Sequence, residues 1–200
     1  MTIKGTIGTF NRDDERAQAP GHEPVVLTGK LKADDGEYPV GLLLTRAADG
    51  ALNPLAVVAA EVIATGDGAT QVYAAVLASG LPVEPGTVAV SDGVETFSDD
   101  GHGRLTGSAG GTGTVNYRTG AVALDFNANV VNLTEVLADY TTAINGVLDD
   151  LIDTTGGAAG NYLHHGTVRR DVLKIGKVAQ AEPSAAFLML MQDRSLYPVG

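Results

Sequence analysis

The residues of this 200-residue chain with chemical capability are few and lie apart. His164 and His165 are adjacent. On an extended strand neighbouring side chains point to opposite faces, so the two imidazoles do not share one ion. Asp99-Asp100-Gly101 and Asp149-Asp150 with Asp153 offer oxygen ligands of the kind Ca²⁺ takes. Neither has the alternating spacing and distal Glu of an EF-hand loop, so both read as turns or solvated faces. The run GSAGGTG, Gly107 to Gly113, is followed by strand-forming residues rather than a helix and lacks the P-loop Lys. There is no G-x-S-x-G or H-E-x-x-H pattern, and zero Cys removes disulfides, thiolate metal sites and Cys nucleophiles. Arg169-Arg170 could meet an acidic partner surface, although a solvated strand end is the commoner use of such a pair. A glycan hydrolase would need paired carboxylates in a cleft. Here the acids fall mostly in turns, and aromatics make up only 5% of the chain, which leaves little for a sugar platform. The expectation is therefore no catalytic, metal or cofactor site, and a chain that is not an enzyme.

The elements that would position these residues are mostly β. A hydrophobic fraction of 44% permits a core, while 26 Gly and no Trp favour thin β-layers over a large helical core. The formal net charge of −11 argues against nucleic acid as partner, because phosphate binding runs on Lys and Arg. No apolar run approaches the roughly 20 residues of a membrane helix, and the opening MTIKGTIGTF has no apolar secretory core. Neither membrane nor nucleic acid is expected as a partner. The charge is uneven: Ala56 to Thr142 holds 10 Asp/Glu against 2 Lys/Arg, a net of −8, and the remainder nets −3.

Residues 1–23 show neither helical nor strand periodicity and read as a mobile arm. Its Ile3, Thr6, Ile7, Thr9 and Phe10 have enough β-propensity to add a strand to a partner's sheet. Val25-Val26-Leu27 and Val40 to Leu44 are expected as strands, with Asp34-Asp35-Gly36 and Asp49-Gly50 as turns. Ala56 to Ala64 is apolar and fits helix or strand. From Gly66 to Tyr140 the signals are β. Asp92-Gly93 reads as a two-residue hairpin loop that sets Val88 opposite Phe97, and Thr119-Gly120 as a second turn. In that second hairpin Val115, Tyr117, Val122, Leu124 and Phe126 share the core face, and Thr114, Asn116, Arg118, Ala121, Ala123 and Asp125 the wet one. Ile144 to Ile152 reads as a strand, Gly156 to Gly160 as a flexible loop, and Ala185 to Gln192 as a helix with Ser184 near its N-cap.

Around the middle segment the outer parts form a pattern: VVLTGK and YPVGLLLTR, then INGVLDDLIDTT, a Gly-rich loop, HHGTVRRDVLKIG, and a short helix ending SLYPV. This resembles the lambda-type head decoration (cement) proteins of tailed phages, over about half the chain, with the HGTV-type strand as its most specific motif. The GTVNYRTGAV hairpin resembles a β-module that recurs in phage structural proteins. The resemblance implies a mainly β (α+β) architecture: a β-tulip-like decoration domain with a short C-terminal helix, plus an inserted β-sandwich or barrel. The expected organisation is an arm at 1–23, a discontinuous core at 24–55 and 143–200, and an acidic insertion at 56–142. The implied function is that of a homotrimer on the outer surface of the virion capsid, made in the host cytoplasm. Its arm would bind the major capsid protein. The acidity of the insertion suggests that it projects outward from the shell, where like charge keeps virions apart and where a host-surface ligand could be taken. A tail, baseplate or adhesin-like β-protein is the alternative, separable by copy number per virion.

Overall fold

The computed structural model describes residues 16–200. Among the described residues the fold is mainly β, with one α-helix, and the strands divide into two large sheets and one small one.

The first sheet takes its strands from the two ends of the described chain. They are β1 (Val25–Lys30), β3 (Leu43–Arg46), β4 (Leu52–Pro54), β13 (Gly146–Leu148), β15 (Ala159–Arg169) and β16 (Leu196–Val199). The order is β1-β15-β13-β3-β4, with β16 parallel to β15. A bridge between Leu31 and Leu52 brings the sheet's two ends together. Strand alternation sends Leu43, Val147 and Leu163 to one face and Leu44, Leu148 and Tyr162 to the other. Both faces are buried, which is why these strands read as apolar runs rather than as alternating patterns. One face is covered by α1 (Ala185–Asp193), whose Leu188 and Met191 lie one turn apart and pack there with Leu173 and Leu196. Each such side chain contributes about 1.5–3 kcal/mol on burial. Ser184 caps the helix, its Oγ accepting from the Phe187 N–H at 3.3 Å. The other face encloses Leu31, Leu42 and Tyr38. Tyr38 lies on β2 (Glu37–Tyr38), which pairs with β14 (Ile152–Asp153) as the small sheet.

The second sheet is built from β5 (Val57–Thr65), β6 (Val72–Val76), β7 (Ala89–Ser91), β8 (Thr96–Asp99), β9 (Arg104–Gly107), β10 (Thr112–Val115), β11 (Ala121–Asp125) and β12 (Glu135–Thr141). Its order is β5-β12-β7-β8-β9-β10-β11-β6. Glu61 on β5 ties the two end strands into a near-barrel. Its Oε1 accepts from the N–H groups of Ala78 and Ser79, just past β6, at 2.8 and 3.2 Å. Tyr140 Oη donates to its Oε2 at 2.6 Å. Inside are Phe97, Leu105, Leu124, Phe126, Val136 and Tyr140, with Phe97 and Phe126 edge to face at 4.9 Å. The apolar stretch after Ala56 is thus a strand.

Several expectations need correction. Val90, not Val88, faces Phe97, because the β7–β8 loop is Asp92 to Glu95. Val115 faces Val122, so the β10–β11 loop spans Asn116 to Gly120 instead of turning on two residues. In each loop the first side chain accepts two backbone N–H groups: Asp92 Oδ1 from Val94 and Glu95, Asn116 Oδ1 from Arg118 and Thr119. These Asx turns lengthen the loops and shift each register by two residues. A shift of two preserves the faces, so Val115, Val122, Leu124 and Phe126 are buried as expected. The segment Ile144 to Ile152 is two strands in different sheets, interrupted at Asp149, whose carboxylate turns inward. The loop expected at Gly156 to Gly160 already enters β15 at Ala159.

Candidate functional site

The arm residues Ile3, Thr6, Ile7, Thr9 and Phe10 lie outside the described residues. The base of the arm is described, and it corrects the picture of a mobile segment reaching to residue 23. Ala17 is fully buried among Leu163, Val168 and Met191. Gln18 bridges Val168, Ala19 N–H donates to Thr167 O at 3.0 Å, and His22 N–H donates to Thr167 Oγ1 at 2.6 Å. The anchor is Asp149, a fully buried carboxylate. Its Oδ1 accepts from the N–H groups of Ala17 and Gln18 at 3.0 and 3.2 Å. Its Oδ2 accepts from Arg16 Nη1 and Gln18 Nε2, each at 2.8 Å. Arg16 also lies 3.1 Å from Asp150 Oδ1. The acidic pair read from sequence as a possible ion site instead holds the entering chain.

The two histidines separate as expected. His164 is exposed, with Nδ1 2.8 Å from Asn145 O, and sits at the bulge where β1 and β15 shift register. His165 turns the other way and meets Tyr197 edge to face at 6.1 Å, while His22 stacks on Tyr197 at 4.8 Å. Gly166 lies between them with φ +123°, and a Cβ there would come within 2.8 Å of Pro24 Cα. Thr167 pairs with Tyr197 across the parallel β15–β16 ladder. The HGTV strand, the Leu-Tyr-Pro-Val end and the arm base therefore form one cluster. Beside it runs β1, the end strand of its sheet, with Val25, Val26 and Leu27 exposed by 46%, 38% and 41%. Up to the Leu31–Leu52 bridge, β1 pairs among the described residues on one side only, with β15, and an apolar end strand of that kind is a template for another chain. Arg169 pairs with Asp171 at 2.5 Å on the same end of β15.

The other candidate acids serve turns, Asp99 and Asp100 in the second sheet and Asp153 at the end of β14 in the small one. Asp99 Oδ1 accepts from Gly101 N–H and from Tyr117 Oη at 2.6 Å, and Oδ2 from Gly86 N–H at 2.7 Å. Burial and this bond to a carboxylate push the Tyr117 hydroxyl up to about 12. Asp100 is held below the usual carboxylate range by the His102 and Arg104 N–H groups, and Asp153 by the Thr155 N–H and hydroxyl. The Gly-rich loop also has a local purpose. Glu95, 3% exposed, accepts from the N–H groups of Ala109, Gly111 and Asn127 at 3.2, 2.7 and 2.8 Å. A Cβ at Gly111 would stand 2.7 Å from the Glu95 carboxylate and 2.8 Å from the Phe97 ring, and one at Gly107 would strike the same carboxylate. The glycines make room for a buried carboxylate, not for a phosphate. Among the described residues no cluster of three or more His, Asp or Glu side chains is arranged to hold a metal ion.

Sequence reasoning missed the roles of Asp149, Glu95 and Glu84. Glu84 is 1% exposed and joins the two sheets: Oε2 accepts from Ile144 N–H at 3.0 Å, and Oε1 pairs with Arg194 beyond α1. Glu84 alone carried a signal in the sequence, a single acid within the apolar stretch LPVEPGTVAV; Asp149 and Glu95 lie close to other acids.

Comparison with known proteins returns no match to a family model, a curated protein or a solved structure.

Proposed function

We propose that this chain is a phage capsid decoration protein, binding the outside of the mature head as a homotrimer and stabilising it against internal DNA pressure. The observation that carries the reading is the meeting of three segments. The HGTV strand, the Tyr-Pro end and the base of the N-terminal arm, which lie at opposite ends of the sequence, pack on one another through Thr167, Tyr197 and His22. Asp149 fixes Ala17 and Gln18 in place, so the described base of the arm is rigid where the chain leads on to β1.

The physics is that of linkage. A protein that binds only the assembled lattice stabilises that lattice by mass action. Three tethered arms raise one another's effective concentration. Strand addition by Ile3, Thr6, Ile7, Thr9 and Phe10 would use main-chain hydrogen bonds for affinity and alternate side chains for register. The role is structural, with the major capsid protein and further copies of this chain as partners.

The test is co-sedimentation with mature undecorated capsids and with unexpanded procapsids, using the full chain and a variant lacking residues 1–15. That cut spares Ala17 and its neighbours, which belong to the core. The full chain should saturate the mature lattice only, and the truncated chain should stay folded and fail to bind. Binding to neither shell, or full binding by the truncated chain, overturns the reading.

A further inference from the structure

Between the two sheets lies a cleft of about 690 Å³, within the roughly 300–1,000 Å³ of small-molecule sites. Its walls are Pro54 to Val57, Ser79 to Leu81, and Ile175 to Lys177 with Ala179 and Ala181. Thr45 and Asn53 line it, directly opposite one another on β3 and β4. Thr45 is 3% exposed, and neither its Oγ1 nor Asn53 Oδ1, both buried, has a hydrogen-bond partner among the described residues. A buried polar group left unpaired costs about 1–3 kcal/mol, so two side by side along one cleft mark a place where an occupant would be stabilised. Both oxygens have almost no accessible surface, so an occupant would reach the Thr45 hydroxyl on a step of that side chain to another staggered rotamer.

Lys32 and Lys177 also line the cleft, and both pair with Asp35, at 3.2 and 2.9 Å. Two ammonium groups on one carboxylate leave a positive charge in excess, in a chain whose net charge is −11. Leu55, Leu81 and Ile175 supply apolar wall. Among the described residues no aromatic ring lines the cleft to serve as a platform for stacking a sugar.

We infer that the cleft binds a small amphiphilic carboxylic acid. Its carboxylate would sit at Lys32 and Lys177, its methylenes along the Leu55, Leu81 and Ile175 wall, and a hydroxyl or amide end at Thr45 and Asn53. The site is independent of the capsid reading, since the cleft contains none of the arm-base residues.

The experiment titrates the full chain with hydroxyhexanoate by calorimetry and by amide chemical shifts, with hexanoate and hexanediol as comparisons. Hydroxyhexanoate should bind saturably and shift the amides of Thr45, Asn53 and Lys177. Hexanoate, lacking the hydroxyl, and hexanediol, lacking the carboxylate, should each bind roughly tenfold more weakly, the equivalent of one hydrogen bond or ion pair. Thr45→Val should erase the preference for hydroxyhexanoate over hexanoate without lowering the melting temperature, because it removes an unpaired hydroxyl. Absence of saturable binding, an unchanged preference in Thr45→Val, or a marked loss of stability in that variant would each overturn the assignment.

Discussion

In the second sheet five strands in succession, β7 to β11, pair with their neighbours in sequence. In the first, β1 pairs with β15 and β3 with β13, joining the two ends of the chain. Most of the polar groups follow the same contrast, although Glu61 also ties β5 to Tyr140 on β12. The second sheet stabilises its own turns with Asp92, Asp99, Asp100 and Asn116, each bonded within a few residues or to an adjacent hairpin. The first buries Asp149 against residues at the far end of the sequence. Local pairing closes short loops at small entropic cost, whereas pairing of distant segments must await collapse. The comparison teaches that the acidic middle of the chain has the means to order itself locally, and that the outer body depends on a few long-range ties.

The largest expected effect is at the strongest of those ties. Asp149→Ala leaves the Ala17 and Gln18 N–H groups without their carboxylate acceptor and removes one of the two carboxylates that Arg16 pairs with, and should cost about 3 kcal/mol. A denaturant midpoint would measure it, and amide exchange should accelerate from Ala17 to Ala19. A cost near zero would mean that the arm base is held by apolar contact alone.

Glu95→Gln addresses the other half. The carboxylate accepts three N–H groups, and an amide would turn a donor toward at least one of them, so the variant should lose about 2 kcal/mol. Exchange should quicken at Gly111 and Asn127 and stay unchanged along β13 and β15. Equal acceleration in both sheets would show that Glu84 and Arg194 bind them into one cooperative unit, and would break the comparison.

The smallest effect appears with pH. Tyr117 in the folded state titrates near 12, above the ~10 of an unfolded tyrosine. Between those values the unfolded chain loses a proton that the folded one keeps, so stability is full below the lower value and falls as pH rises toward the upper. Tyr117→Phe should flatten that alkaline decline in the second sheet. Tyr38 and Tyr140, also raised by burial and by bonds to Asp35 and Glu61, keep a remainder in both sheets. A decline as steep in the variant as in the parent would place the alkaline sensitivity elsewhere.

How far each half was legible follows from the same contrast. Alternation at Val115, Val122, Leu124 and Phe126 identified a core face, and a register error of two residues left it intact. That error arose because side-chain oxygens of Asp92 and Asn116 competed for backbone N–H groups, which alternation does not register. The helix at Ala185 was legible because its cap, Ser184 following Pro183, is local. The interruption at Asp149 was not, since an acid between Leu148 and Leu151 looks like the wet side of a strand until its partners at residues 16–18 are brought to it.

By itself, then, the sequence determined the mainly β class, the faces of its hairpins, the capped helix and the concentration of acid in the middle. All of these depend on side-chain period, turn chemistry or composition within a short window. The tertiary structure alone decided that the two ends of the described chain share a sheet, that Asp149, Glu84 and Glu95 are buried and satisfied, and that Thr45 and Asn53 meet unpaired along one cleft. Each of those depends on which distant backbone N–H or side chain arrives within hydrogen-bonding distance, and no local pattern encodes that arrival.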